Sequence, residues 1–180
     1  SATRLSTLLA LASDLSMATV GGALKRKGAM TGRMGDILSQ LFILSSVLKR
    51  FEDEGRPAED LPFVHWAAQD ALARAGTAWR DLLANHPNRG AALFLKLVGA
   101  PFGLRTLAPD DRCAAAVAEL IQTHGPARDR LTAGSWSARI EVDPIAATIV
   151  AFDLYPQVEA IERRLKDAIR EGRIARAPQN

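Results

Sequence analysis

Three histidines, one cysteine and a few clustered charges are the residues of this chain whose chemistry could reach beyond packing. His65, His86 and His124 lie far apart in sequence. No pair has the i,i+4 or Cys-x-x-Cys spacing that sets two ligands on one tetrahedral metal. His65, beside Trp66 in what reads as the first turn of a helix, could act as a base, but a half-buried imidazole bonded to a neighbour is the simpler expectation. Cys113 lies among alanines and reads as a small, inert helix residue. Glu52, Asp53 and Glu54 are consecutive, so they splay around a helix end instead of flanking one reacting bond. Arg33 and Asp36 are one helical turn apart, and a mutual pair or a bond to a neighbouring helix accounts for them. Lys25, Arg26 and Lys27 form a cationic patch, yet GGALKRKG lacks the preceding strand and the Gly-Lys-Ser/Thr ending of a phosphate loop. It reads as a solvated turn whose cations complement a helix C-terminus. With no Gly-x-Ser-x-Gly elbow and no dinucleotide-binding glycine fingerprint either, no catalytic, cofactor-binding or metal-binding residue is assigned.

The elements behind these residues read as helices. Met30, Met34, Ile37, Leu41, Leu44 and Leu48 alternate spacings of four and three, so they share one stripe, which Leu38 and Phe42 are expected to widen. Gly55, Arg56 and Pro57 stop that helix. Before it, Leu5, Leu8, Leu9, Ala12 and Leu15 set one face of a first helix that ends or bends at Gly21-Gly22. After it, Asp60 is an expected N-cap, with Pro62 in the first turn and Val64, Ala68, Ala71, Ala75, Ala78 and Leu82 as the stripe. Asn88 is expected to cap a fourth helix, and Pro109-Asp110 to open a fifth that closes at His124-Gly125-Pro126. Arg128 to Ala138 reads as a short helix and loop. Asp143-Pro144 starts a further helix, which Tyr155-Pro156 is expected to separate from a last one that Gly172 stops. No run alternates with period two. The expected fold is therefore all-α, a helical bundle of about six to eight helices. Three long N-terminal helices, at about residues 2–24, 29–54 and 60–85, form its main core.

A hydrophobic content of 48% is enough for a proper core, and a single helical domain over 1–180 is the default. The net charge of +3 is spread over many arginines balanced by local carboxylates, which does not suit a nucleic-acid tract. One cysteine excludes an internal disulfide, and the N-terminus lacks the layout of a signal peptide, so a cytoplasmic setting is expected. The first residue is Ser1 and not Met, which leads to the expectation of a fragment whose chemistry lies upstream.

The run from Asp14 to Leu72, with its GGALKR turn, RMGDILSQL helix, VLKRFEDEGR and DLPFVHWAAQDAL, resembles the C-terminal region of the large bacterial-type acyl-CoA dehydrogenases of fatty-acid degradation. The likeness continues more loosely through HPNR at His86–Arg89 and LAPDDR at Leu107–Arg112, and fades between about 123 and 138. The resemblance implies a parent enzyme that oxidises the Cα–Cβ bond of an acyl thioester, with a glutamate base taking the α-proton and FAD accepting the β-hydride. It also implies that base and flavin site belong to upstream catalytic domains, so residues 1–180 bind no FAD and are inactive alone. The implied partners are those domains, a peripheral contact with the inner face of the cytoplasmic membrane, and a second copy of the parent as a homodimer. No nucleic acid is implied.

Two other readings compete: an independent helical module whose basic face binds an acidic partner or a membrane, and a nucleic-acid-binding domain, for which only the pI near 9.4 speaks. The stretch Gly90–Leu107 bears on the first of these. It is too short, and too interrupted by Lys96, Pro101 and Arg105, to span a bilayer of about 30 Å. Leu93, Phe94, Leu97 and Val98, with Lys96 and Arg105 reaching headgroups, are its candidate contacts with a membrane interface or with the catalytic body. Burial of the four apolar side chains against the three-helix core is the competing expectation.

Overall fold

A computed structural model of the protein describes residues 2–101, 103–104, 106–135 and 143–174. Among them are seven α-helices and no strand, as the periodicities predict. They are α1 (Ala2–Val20), α2 (Gly28–Asp53), α3 (Leu61–Ala84), α4 (Arg89–Phe94), α5 (Asp111–Gln122), α6 (Pro126–Thr132) and α7 (Pro144–Arg170). A 3-10 turn at Gly21–Arg26 joins α1 to α2, and a π-helical turn at Leu95–Gly99 extends α4. The chain forms two compact units, Ser1–Leu131 and Thr132–Asn180.

In the first unit α1 and α2 fold back on one another around the glycine turn, where Gly21 takes a positive φ of 57°. Ser13 Oγ meets Met34 Sδ across the hairpin at 3.9 Å. α3 lies along α2, and its alanines allow the close approach that their number implies. Leu8, Ala12, Met30, Ile37, Ala78, Trp79, Leu82 and Leu95 form the core, drawn from α1, α2, α3 and the π turn. Residues Ala2–Arg26 have the length and apolar composition of a membrane span. One face of that stretch is nevertheless occupied in the core by Leu5, Leu8, Ala12 and Ser16, as in a core helix of a globular unit.

Four expectations need correction. Leu38 and Phe42 do not widen the buried stripe of α2: they are 60% and 71% exposed, and the buried residues are Met30, Ile37 and Leu44 alone. Leu48 is exposed as well. The reason is the partner, because a helix laid against alanines comes close and covers a narrow arc. Asp60 does not cap α3, since its backbone is already helical (φ −86°, ψ −8°) in a 3-10 turn, and a cap needs the extended conformation. Its carboxylate is bound by Arg130 instead. Tyr155-Pro156 does not divide α7, which is helical from Pro144 to Arg170 with Pro156 inside it. One missing N–H costs less here than ending two helices would. His65 is exposed, not half-buried.

Asn88 caps α4 as expected, and Asp110 and Asp143, expected only to open their helices, cap α5 and α7. Asn88, Asp110 and Asp143 accept from Ala91 N, Cys113 N and Ile145 N at 3.0, 2.8 and 3.0 Å.

Candidate docking face

The π turn after α4 is one place where the first unit presents apolar side chains outward. Leu95 is completely buried in the core. Gly99 is held just as firmly: a Cβ there would sit 2.4 Å from Leu8 Cδ2, and the Arg4 guanidinium donates to the Gly99 carbonyl oxygen through Nε at 3.2 Å and Nη2 at 2.7 Å. A π turn widens the helix and moves the residues between these anchors outward. Leu97 and Val98, between these anchors, and Leu93 and Phe94, in α4 just before them, are 47% to 60% exposed, which removes the expectation that they pack against the three-helix core. Lys96 is exposed among them, and Arg105 lies outside the described residues.

Beside this face is a groove of about 540 Å³. Trp79, Leu83, Ala92, Leu93, Ala100 and Leu104 line its apolar part, and Arg80, Arg89 and Lys96 bring three cations to it. Arg89 Nη1 donates to the Ala84 carbonyl oxygen at 3.0 Å, and Arg80 Nη2 donates to Thr77 Oγ1 at 2.9 Å, so both side chains are steered along the surface. An apolar floor with a cationic rim suits an amphiphile that carries negative charge at its polar end. The apolar run was legible in the sequence, but its exposure was not. The part played by Arg80 and Arg89 was not, because they come from the end of α3 and the start of α4 and share no periodicity with Lys96.

His86 packs the loop before α4 against α1. Its Nε2 lies 3.3 Å from Ser16 Oγ and its Nδ1 lies 2.9 Å from the Asn88 carbonyl oxygen. The Ser–His contact resembles a nucleophile and base, but Ser16 is fully buried and His86 is 2% exposed, so no substrate reaches them. It is a clamp. A second clamp joins α6 to the start of α3: Arg130 holds Asp60 through Nε–Oδ2 at 3.0 Å and Nη2–Oδ1 at 2.7 Å, and reaches Glu59 Oε1 at 3.0 Å. The two carboxylates hold the guanidinium firmly protonated. Arg33 donates to the Ala29 carbonyl oxygen at 3.4 Å, and Lys25 and Arg26 of the 3-10 turn and Lys27 after it are exposed.

The whole chain, residues 1–180, matches the family described as acyl-CoA dehydrogenase, C-terminal, bacterial type, and it belongs to that family. No solved structure matches it. The family implies FAD in the parent enzyme. Among the described residues, the groove beside α4 has an apolar lining with Arg80, Arg89 and Lys96 at it, and no residue of it is assigned to the flavin.

Proposed function

We propose that this chain is the part of a bacterial FAD-dependent acyl-CoA dehydrogenase that holds the enzyme against the inner face of the cytoplasmic membrane, near its acyl substrates. In this reading the upstream catalytic domains carry out the α,β-dehydrogenation of fatty acyl-CoA in β-oxidation, and the surface at α4 and the π turn meets the lipid. The observation that carries the proposal is the exposure of Leu93, Phe94, Leu97 and Val98 on a turn anchored by Leu95 and Gly99, with Arg80, Arg89 and Lys96 alongside. Each large apolar side chain moved out of water contributes roughly 1–2 kcal/mol, and each cation near an anionic surface about 1 kcal/mol. The sum suits a reversible peripheral contact.

The experiment is co-sedimentation with vesicles containing phosphatidylglycerol. Leu93→Gln with Phe94→Gln should weaken binding by about tenfold or more and leave the melting temperature nearly unchanged, since both side chains are already exposed. Unaltered vesicle binding, with or without a large fall in stability, would reject the membrane contact.

A further inference from the structure

The groove beside α4 is charged differently from a smaller cavity of the first unit. That cavity, of about 160 Å³, lies among Val47, Phe51, Phe63, Val64 and Ala127. Its charges are matched within the protein, Arg50 with Glu54 at 2.8 Å and Asp60 with Arg130 at 2.7 Å, so it offers a solute no net charge. The groove has no acidic residue in its lining, and among the described residues Arg80, Arg89 and Lys96 pair with no carboxylate. The sequence explains the imbalance: no Asp or Glu occurs between Asp81 and Asp110, although 20 of the 180 residues are acidic. Every position four residues from Arg80, Arg89 or Lys96 is uncharged, so the pairing that neutralises Arg74 with Asp70 and Arg163 with Glu159 is missing here.

The shape is that of a site for one molecule. A groove of about 540 Å³ falls within the roughly 300–1,000 Å³ of small-molecule clefts. Leu93 belongs both to the groove and to the exposed face that Phe94, Leu97 and Val98 continue, so one apolar surface runs from that face to Trp79, Leu83 and Leu104. Trp79 also holds a buried Nε1–H that has no acceptor among the described residues. An ester carbonyl oxygen is an acceptor of the kind it lacks. The matching ligand has an apolar chain, a carbonyl oxygen and an anionic head with several oxygens for guanidinium and ammonium donors. We propose, resting on the membrane reading above, that the groove holds one molecule of an anionic phospholipid, with an acyl chain along its floor and the phosphate among Arg80, Arg89 and Lys96. The contact then has a defined stoichiometry and selects headgroup charge. A free phosphate lacks the chain, and a zwitterionic lipid brings a cation to a rim that already has three.

The test uses the chain of residues 1–180 and dihexanoyl phosphatidylglycerol kept below its micelle concentration, so that no lipid surface is present. Calorimetric titration should give one molecule bound per chain. Dihexanoyl phosphatidylcholine and glycerol 3-phosphate should each bind at least about tenfold more weakly. Arg80→Glu with Lys96→Glu should weaken phosphatidylglycerol binding at least about tenfold. Lys25→Glu with Lys27→Glu makes the same change of net charge away from the groove and should leave binding within about threefold. All four side chains are exposed, so both variants should keep the wild-type melting temperature. No binding of the monomeric phosphatidylglycerol, equal binding of phosphatidylcholine, glycerol 3-phosphate bound as tightly as the lipid, or equal losses in the two charge-reversed variants would each overturn the site. The two readings fail separately. Vesicles bound with no uptake of the monomeric lipid would overturn the site alone; monomeric lipid bound one per chain, with vesicle binding unaltered by Leu93→Gln and Phe94→Gln, would reject the membrane contact alone.

Discussion

The stripes of α3 and α7 share one spacing, Ala71, Ala75, Ala78 and Leu82 against Leu154, Val158, Ile161 and Leu165, and differ in bulk. All four in α3 are buried and all four in α7 are exposed. Bulk and burial therefore run opposite to the expectation that larger apolar side chains hide first. Alanine leaves room for a neighbouring backbone, so α3 can be approached closely by α2 and also contacted by α5. Leucine, valine and isoleucine hold a partner farther away but contribute more apolar area per residue once one arrives. A stripe of small residues suits close packing inside a unit.

The sharpest way to break this comparison is the same substitution in both settings. Ile37 of α2 is completely buried in the cluster that includes Ala78, Trp79 and Leu82 of α3. Ile37→Asp should destabilise the first unit by about 3–5 kcal/mol and lower or abolish its cooperative thermal transition, because a carboxylate there has no partner. Phe42→Asp, on the exposed side of the same helix, should change stability by no more than about 0.5 kcal/mol. Ile161→Asp should leave the transition of the first unit in place. Equal losses from Ile37→Asp and Phe42→Asp would mean that α2 buries a different face.

These pairs also show how far the sequence could be read. The long helices were legible because spacings of three and four persist over many turns and glycines end them, as at Gly21 and Gly55. Asn88 was legible as a cap, and Asp110 and Asp143 as helix starts, because each side-chain oxygen precedes by two or three residues the backbone N–H that donates to it. The exposure of Leu38 and Phe42 was not, since eight apolar residues on α2 exceed the arc that an alanine-faced neighbour can cover. Arg4 on Gly99 and Arg130 on Asp60 were equally hidden, because 95 and 70 residues separate partners that carry no shared pattern. The docking face fell between these cases: its apolar run was plain, but its direction depends on a π turn and on the burial of Leu95. Pro156 misled because a proline weighs heavily against a helix only when the turns around it are weak.

A smaller effect sharpens the contrast between covered and open helix faces. Gly76 in α3 leaves space for Thr106: a Cβ would come within 2.1 Å of its Oγ1 and 3.1 Å of its Cβ. Thr106 is β-branched and cannot swing clear cheaply, so Gly76→Ala should cost about 1–3 kcal/mol. Gly35 in α2 has nothing within 4 Å of where its Cβ would be. Gly35→Ala should raise stability by about 0.5–1 kcal/mol through helix propensity alone. Urea unfolding of the two variants checks the sign of each, and a stabilising Gly76→Ala would mean that α3 is not closely covered at that turn.

The smallest effect expected is at the clamp on α6, where charge joins α6 to the turn before α3. Glu59 has its carboxyl held below the 4.5 that a glutamate ordinarily shows, first by a hydrogen bond from its own backbone N–H and then by Arg130. Lowering the folded-state pKa stabilises the folded chain wherever the carboxylate is charged in both states. That contribution is fully present above the ordinary value, shrinks as pH falls through it, and is gone below the lowered folded value. Glu59→Gln removes the titration and leaves Asp60 to hold Arg130. The stability difference between wild type and Glu59→Gln, measured by urea unfolding from pH 7 down to pH 3, should therefore be constant near neutrality and close progressively below about pH 5. Because Glu59 is at the surface, added salt should also reduce it. A difference that widens in acid would mean that Glu59 is not paired with Arg130, and that Asp60 alone ties α6 to α3.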